Sequence, residues 1–277
     1  MSDVVFADKF IGFVDILGFK KVVEAAEAGD TATLTEARAI LKHFGSHEKR
    51  DKLDKQGPKI CPHSLYVQRH LDFRVCRISD SILVSCEISP AGIINLIEHC
   101  WDFVLCLLQK GMMCRGFITR GRISHESDMD FVGTGAHRAF ENEKNVAAFR
   151  RDAREQGTPF VEIDHIVCDY VNNCGDWCVK EMASRFASFD GKVVALFPFK
   201  RLAHQFMIGR GVFDVNRERE SNHNVRLILT NLKERVSALV DPSNPRAVCK
   251  ARHYIEALDT QLAICDSTDD LIRLLSQ

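Results

Sequence analysis

The chain of 277 residues contains 45% hydrophobic and 27% charged residues and has a formal net charge of −1, which is typical of a globular protein and argues against a disordered chain. The near-neutral charge, with its dispersed Lys and Arg residues, also argues against a long nucleic-acid-binding surface. The longest apolar stretch, residues 93–108, is interrupted by Glu98, His99 and Asp102, and the polar N-terminus has no apolar segment typical of an export signal, so we expect a cytoplasmic protein that does not enter a membrane.

Strands and helices are predicted in a defined order through the first half of the chain. Apolar runs indicate strands, and apolar residues spaced three or four apart indicate helices. The predicted elements are a strand over 10–19, helices over 20–28 and 31–44, strands over 73–78 and 82–86, a helix over 90–110, strands over 115–123 and 131–133, and a helix over 136–156. This order predicts an α+β domain whose mainly antiparallel sheet is covered by helices on one face.

Two further segments complete the predicted organisation. Residues 45–70 are charged, contain two prolines and show no periodicity, so we expect an exposed insertion. After a strand at 160–163 the chain is mostly helical, with predicted helices at 164–172, 177–188, 222–240, 244–265 and 267–275 and a further strand within 193–199. We therefore expect a domain over residues 1–165 and a mostly helical extension over residues 166–277 that packs on it.

Two isolated aspartates end apolar strands, Asp15 in FVDILGF and Asp80 in RISDSIL. A carboxylate beside a core is costly unless it is paired or bound to a cation. Either aspartate alone also suits the cap of a turn. Together, on neighbouring strands, they can bridge two Mg2+ or Mn2+ ions that also bind phosphate oxygens.

Four motifs resemble those of the class III nucleotidyl cyclases, in the family's order and over about residues 8–165. Phe13 to Phe19 match in full the F-x-D-I-x-G-F segment that supplies that family's first metal aspartate and its phosphate-binding turn. Ser79-Asp80 resembles the G-D dipeptide of the second metal aspartate, with serine in place of glycine. Residues 115–121 resemble the R-x-G-x-x-x-G strand, with the first glycine one place early, and residues 130–133 resemble the D-x-x-G turn before a helix.

The resemblance implies the fold and the site. The implied fold is the cyclase-like, ferredoxin-like or palm sheet, and the implied cofactors are two divalent ions, Mn2+ or Mg2+, held by Asp15, Asp80 and the carbonyl of Ile16. The implied substrate-binding residues are Phe13, Ile16, Leu17, Gly18 and Phe19 at the phosphate turn, Cys76 and Asp130 at the base, and His137 at the ribose.

Some positions depart from the family's pattern. The N-x-x-x-R pair of the helix after D-x-x-G is represented here by His137 and Glu141, and glutamate cannot replace the arginine that stabilises the reacting phosphorus. Arg138 or Arg115 is expected to take that role, with Arg120 and Arg122 as further candidates on the strand. The position that selects the base, four residues before Asp80, is Cys76 rather than lysine or glutamate, which argues against the usual purine pocket.

These departures, the segment AFENEK at residues 139–144 and the helical extension resemble the pyrimidine cyclases of bacterial anti-phage signalling. The resemblance implies an enzyme that converts UTP, or alternatively CTP or ATP, to a 3′,5′-cyclic monophosphate and pyrophosphate. It also implies a homodimer with sites at the subunit interface. The cyclic product would act on a separate effector protein.

Two other classes of function stay open at this stage. A catalytically silent cyclase-like domain could bind a nucleotide and regulate a partner, and the missing arginine favours this alternative, whereas the two aspartates argue against it. Another metal-dependent phosphoryl-transfer enzyme on a palm-like sheet, such as a polymerase or a cyclic-dinucleotide synthase, is the second alternative. The absence of a G-G-D-E-F-like turn at Asp80 argues against the synthase.

Overall fold

The structure, a computed structural model, describes residues 4–46, 51–52, 55–66, 68, 70–127, 130–151, 153, 155, 157–201 and 214–276. The strands are β1 (Ala7–Ile16), β2 (Phe73–Ile78), β3 (Ser81–Glu87), β4 (Cys114–Ser127), β5 (Asp130–Val132), β6 (Val161–Ile163), β7 (Ala187–Phe189) and β8 (Val194–Leu196). The helices are α1 (Phe19–Glu27), α2 (Ala32–Phe44), α3 (Pro90–Leu108), α4 (Thr134–Glu143), α5 (His165–Asn173), α6 (Trp177–Ser184), α7 (Val215–Leu239) and α8 (Pro245–Leu275), with a 3-10 turn at Pro198–Arg201.

The strands form one open, mixed sheet in the order β2-β3-β1-β4-β6-β8-β7, with β5 paired to β4. Strands β4 and β6 are parallel, and the other neighbouring pairs are antiparallel. Strand β1 is central because it is apolar on both faces, and Phe10, Ile11 and Val14 are fully buried. The predicted α+β class with a mainly antiparallel sheet is therefore confirmed, together with the predicted order of elements through α4.

Helices cover both faces of the sheet, so the prediction of helices on one face is wrong. A Cβ atom on Gly12 of β1 would lie 2.9 Å from Sγ of Cys100, which belongs to α3. The neighbouring residue Ile11 contacts the other helix: a Cβ atom on Gly135 of α4 would lie 2.4 Å from its Cδ1. Successive side chains of a strand point to opposite faces, so α3 and α4 lie on opposite sides of β1.

Helix α3 is long and apolar enough, by length and composition alone, to cross a membrane. It has 19 residues and a mean hydropathy of 1.5, but 78% of its apolar window is buried inside the protein. Ile93, Leu96, Cys100 and Phe103 have no exposed surface. These features are those of a core helix, whose apolar surface packs on the sheet.

Several predicted helix boundaries are wrong. The helix predicted over 177–188 ends at Ser184, and residues 187–189 form β7 instead. The helix predicted from residue 222 begins at Val215. The helix predicted over 136–156 ends at Glu143, and the described residues that follow it form turns, while residues 152, 154 and 156 lie outside the described part. The chain leaves the helical path because the Glu162 carboxylate of β6 accepts hydrogen bonds from the N–H groups of Ala147 (2.7 Å) and Ala148 (3.1 Å). Conversely, the break predicted at Asp266 is absent, and α8 is continuous.

Part of the predicted insertion is anchored to the protein. Residues 47–50, 53–54, 67 and 69 lie outside the described part of the chain. Within the described part, Lys59 forms an ion pair of 2.8 Å with Glu98 of α3. Ser64 is 8% exposed and donates a hydrogen bond to the carboxylate of Asp176. The prediction of an exposed insertion is therefore wrong for Ser64, whereas Lys59, Pro62 and His63 are exposed.

Contacts divide the chain into two compact units. The first comprises the described residues up to Leu107 and those from Met113 to Phe197, which includes β7 and β8 beyond the boundary expected at residue 165. The second comprises Leu108–Met112 and the described residues after Phe197. Within the second unit, α7 and α8 pack on each other through buried apolar residues and through Arg226, which binds Asp266 and Asp269 at 2.6 Å each.

Candidate functional site

Asp15 and Asp80 lie at the same edge of the sheet. In the β1–β3 register Asp15 is opposite Ser81, the residue after Asp80, and on its other side Asp15 is opposite Arg115 of β4. The main-chain N–H of Ile16 donates a hydrogen bond of 3.3 Å to the carbonyl of Asp80. Sequence position had separated the two aspartates by 65 residues, and the pairing of β1 with β3 brings them together.

The turn from β1 into α1 provides main-chain N–H groups beside Asp15. Gly18 has a φ of 76° in the left-handed region and occupies the N-cap of α1. The N–H groups of Ile16 and Leu17 already bind the carbonyls of Asp80 and Met113, the latter at 2.9 Å. These two N–H groups are therefore not free to bind a phosphate. The first-turn N–H groups of Phe19 and Lys20 have no preceding helical carbonyl, so the anion-binding part of this turn is its helical end.

Asp80 lies in the two-residue turn of the hairpin that joins Ile78 of β2 to Ser81 of β3. Ser79, its first residue, has a φ of 52° in the left-handed region, which costs an L-residue about 1–2 kcal/mol. The hydroxyl of Ser81 donates a hydrogen bond of 2.8 Å to the carbonyl of Ile78 and closes the turn. Ser79 thus occupies a position where glycine is conformationally favoured.

Ser79→Gly is expected to raise the free energy of unfolding by about 0.5–1 kcal/mol, because the relief of strain exceeds the entropy lost on ordering glycine. Urea denaturation measures the change. Ser188→Gly, within strand β7, is the matched control and is expected to lower stability. A loss of stability in Ser79→Gly would show that the turn is not strained.

The electrostatic environment of Asp15 is unfavourable for its charge. Burial raises the pKa of the Asp15 carboxyl to about 7, and the nearby carboxylates of Asp80 and Glu143 add to the rise, while Arg115 opposes it. A divalent cation would remove this repulsion because it attracts both aspartates at once. Without a bound cation, the charged form of the half-buried Asp15 lowers the stability of the folded protein at neutral pH.

Glu143 belongs to this neighbourhood and was missed by sequence reasoning. It is 3% exposed, and its Oε1 accepts a hydrogen bond of 2.5 Å from Nε of Arg115. The signal was present in the helical spacing: Ala136, Ala139 and Glu143 recur at intervals of three and four, and the first two are buried against the sheet. A carboxylate on the buried stripe of a helix requires a partner, and Arg115 is that partner.

The donors present fit substrate-bridged divalent ions. Mg2+ commonly binds one or two carboxylates and completes its coordination with water and phosphate oxygens. Asp15 and Asp80 supply those two carboxylates. Within the described ranges, no cluster of three or more His, Cys, Asp or Glu side chains is arranged to hold a metal ion, so these two residues do not belong to a larger ligand cage.

Asp15→Asn is expected to stabilise the protein in EDTA, and by a margin that grows with pH. The folded pKa of Asp15, about 7, lies above its unfolded value of 3.8, so wild-type stability falls as the pH rises from about 4 to 7. Asparagine does not ionise, so the variant avoids this loss. At pH 8 its free energy of unfolding should exceed that of the wild type by roughly 1–2 kcal/mol, a figure reduced because water reaches the half-buried carboxylate. Thermal unfolding between pH 5 and pH 8 measures it.

The matched control for this variant is Asp8→Asn, an exposed position on the same strand, which should not reproduce the gain in stability. Mn2+ or Mg2+ should raise the melting temperature of the wild type but not of Asp15→Asn. A stability difference that is the same at both ends of the pH range would contradict the assignment.

The other predicted substrate-binding residues lie in different parts of the fold. Phe13 and Cys76 are 9% and 2% exposed and lie in an apolar cluster beneath α4 with Leu83, Ala136 and Ala139. Asp130 and His137 are exposed, on β5 and α4 respectively.

The arginines also differ in their surroundings. Arg115 lies beside Asp15 and binds Glu143, whereas Arg120 binds Asp8 through two nitrogens at 2.7 and 2.9 Å. Arg122 lies over the ring of Phe6 at 6.0 Å. Arg138 lines a separate cavity. The structure thus brings Asp15, Asp80 and Arg115 together, whereas Arg138 lines a cavity to which neither aspartate contributes.

Comparison with known proteins gives this site no further assignment. The chain matches no known protein family, and no curated protein is significantly similar to it. The resemblance to class III cyclases therefore rests on the four sequence motifs, and function must be argued from the residues of the site.

Proposed function

We propose that the protein is a nucleotidyl cyclase that converts a pyrimidine nucleoside triphosphate, with UTP favoured, to its 3′,5′-cyclic monophosphate and pyrophosphate. The observation that carries the proposal is the position of Asp15 and Asp80 at one sheet edge, next to the N-terminus of α1. The order β2-β3-β1-β4, with helices in the β1–β2 and β3–β4 connections, also agrees with the ferredoxin-like arrangement of cyclase domains.

Asp15 and Asp80 would hold two divalent ions, Mn2+ or Mg2+, with the carbonyl of Ile16 as a further ligand. When bound, such a pair activates an attacking oxygen and stabilises the charge of the leaving phosphate. The chain's own contribution is to orient the triphosphate so that the ribose 3′-oxygen faces the α-phosphorus. The bond from the 3′-oxygen to the α-phosphorus forms, the bond to the β-phosphate oxygen breaks, and the 3′-hydroxyl proton passes to water.

Positive groups of the chain would stabilise the phosphates. The first-turn N–H groups of Phe19 and Lys20 are directed to an anion at the N-terminus of α1. Of the arginines expected at the α-phosphate, Arg115 is the one beside Asp15. Its bond to Glu143 uses one of five N–H donors, and the others can bind phosphate oxygens. We therefore assign the stabilising role to Arg115 rather than to Arg138.

The burial of Cys76 supports a base other than a purine. In the resembled family this position selects the purine, but here it is 2% exposed within the apolar cluster beneath α4. A smaller base that makes its contacts elsewhere fits this arrangement better. CTP and ATP remain the alternative substrates.

The proposed enzyme is a cytoplasmic homodimer whose sites lie at the subunit interface, because one protomer supplies only the metal-binding half. Its cyclic product would act on a separate effector protein in defence against phage. Activity per protomer is expected to fall on dilution below the dimer dissociation constant. Parallel measurements of mass by light scattering and of activity over a dilution series check this. Constant specific activity for a monomer would contradict the shared site.

The proposed reaction is tested by incubating the protein with Mn2+ and each of ATP, GTP, CTP and UTP, followed by mass spectrometry of the products. Cyclic UMP from UTP is expected. Cyclic CMP or cyclic AMP instead would keep the reaction and change the base. No cyclic product from folded protein that still binds a nucleotide would support the rival function, a catalytically silent regulatory domain.

A further inference from the structure

A cavity of about 710 Å³ lies in the first unit. This volume is within the range of small-molecule sites. Strands β4, β6, β7 and β8 contribute side chains to its wall, and so do α4, α5 and the turn between β7 and β8. Neither Asp15 nor Asp80 lines it.

Two cationic side chains enter the cavity from different elements. Arg138 comes from α4, and Lys192 comes from the turn between β7 and β8. Among the described residues, neither side chain forms an ion pair with a carboxylate. Asp164, a carboxylate of the same cavity, is already bound by the hydroxyl of Thr119 at 2.6 Å and by Nδ1 of His165 at 2.7 Å. Although burial acts in the opposite direction, Lys192 lowers the pKa of the nearby Asp190 carboxyl without forming an ion pair with it, so both cations can still bind an anionic ligand.

The turn that carries Lys192 is held in one conformation. The carboxylate of Asp190 accepts hydrogen bonds from the N–H groups of Phe149 (2.7 Å), Lys192 (2.8 Å) and Val193 (2.9 Å). Phe189, next to this aspartate, lines the cavity and is 65% exposed. An apolar ring held open to solvent beside a cavity is a surface on which a flat ring can stack. The site is therefore organised before a ligand arrives.

Polar groups in the cavity wall favour a ligand that carries hydroxyl and amide-pairing groups in addition to its negative charge. Oε2 of Glu162 accepts the N–H groups of Ala147 and Ala148, which leaves Oε1 able to accept from a hydroxyl group. Carboxylates bind the ribose hydroxyls of nucleotides in this way. Asn142 and Asn172 add amide groups of the kind that pair with the polar edge of a base.

We propose that this cavity is a second nucleotide-binding site, which takes a nucleoside monophosphate. The phosphate lies between Arg138 and Lys192, the base stacks on Phe189, and the sugar hydroxyls donate to Glu162. This site goes beyond the proposed cyclisation and does not depend on it, because none of its residues belongs to the pair of aspartates or to the turn of α1.

Calorimetric titration of the full chain in EDTA tests the proposal, with UMP, CMP, AMP and GMP as probes and with uridine and inorganic phosphate as partial ligands. The protein carries Asp15→Asn and Asp80→Asn, so that the metal site is disabled. At least one monophosphate is expected to bind, about tenfold or more tightly than phosphate or uridine. Lys192→Ala and Phe189→Ala are each expected to weaken binding about tenfold.

Lys180→Ala, an exposed lysine on α6 outside the cavity, is the matched control and should bind as the parent protein does. Two results would overturn the proposal: no monophosphate binds, or phosphate alone binds as tightly as the nucleotides. Binding to the wild-type chain that survives both cavity substitutions but is absent from the protein with Asp15→Asn and Asp80→Asn would place the nucleotide at the metal site instead. Since the cyclisation assay uses other residues, failure of either proposal is distinguishable from failure of the other.

Discussion

Asp80→Asn and Asp15→Asn are each expected to lower the rate of cyclic product formation by about a thousandfold or more. Each change removes half of the carboxylate charge available to two divalent ions, and metal-dependent charge stabilisation is worth several kcal/mol in the transition state. The rate is measured with UTP and Mn2+ by quantifying cyclic UMP. Because asparagine preserves shape and removes a buried charge, the variants should remain folded.

Asp8→Asn is the control for this loss, since Asp8 is an exposed aspartate at the other end of β1 that binds Arg120. We expect its rate to lie within about twofold of the wild type, because an exposed ion pair contributes little. If Asp80→Asn retained more than a tenth of the activity, the two-aspartate site would not be the catalytic site.

Glu143→Ala is expected to lower the free energy of unfolding by about 3 kcal/mol or more. The side chains of Glu143 and Arg115 are 5% and 16% exposed, and removal of one partner leaves the other charge buried and unpaired. Denaturant unfolding measures the loss, which would lower the melting temperature by roughly 6–12 °C in a domain of this size.

The double variant Glu143→Ala with Arg115→Met should recover a large part of the lost stability, because neither charge is then buried alone. Glu141→Ala, an exposed neighbour on the same helix, is the matched control and should change stability by less than about 0.5 kcal/mol. A double variant as unstable as the single one would show that packing, and not the ion pair, is responsible.

The strands around the two aspartates could be predicted from local patterns. The apolar run at residues 10–19 with a single carboxylate predicts a buried strand, because a strand buried on both faces needs apolar residues at every position, although the strand ends at Ile16. The hairpin that carries Asp80 follows from two short β-type runs with a polar break. What the patterns cannot give is the turn's conformation, since the positive φ of Ser79 depends on the pairing of Ile78 with Ser81.

Long-range contacts account for the features that sequence reasoning missed. The N–H of Leu17 is bound by the carbonyl of Met113, almost a hundred residues away, and this removes it from the predicted phosphate turn. The end of α4 at Glu143 depends on Glu162 of a later strand, which binds the N–H groups of Ala147 and Ala148. A prediction from local helix propensity extends α4 past Glu143, because propensity contains no information on these tertiary partners.

The placement of helices on both faces of the sheet was likewise inaccessible to local reasoning. Gly12 and Ile11 are adjacent in sequence, and each contacts a different helix. Apolar residues at both positions show that both faces are buried but do not identify what covers them. Glu143 is the instructive exception, because its position on the buried stripe of α4 was visible in the sequence.

The most direct test of the central claim is a phosphorus NMR time course of the purified protein with UTP and Mg2+. Cyclic UMP and pyrophosphate are predicted to form in equal amounts, with neither product formed by Asp80→Asn. Release of inorganic phosphate with UDP, or unchanged UTP in the presence of folded dimeric protein, would contradict the account of Asp15 and Asp80 as the metal-binding pair of a cyclase.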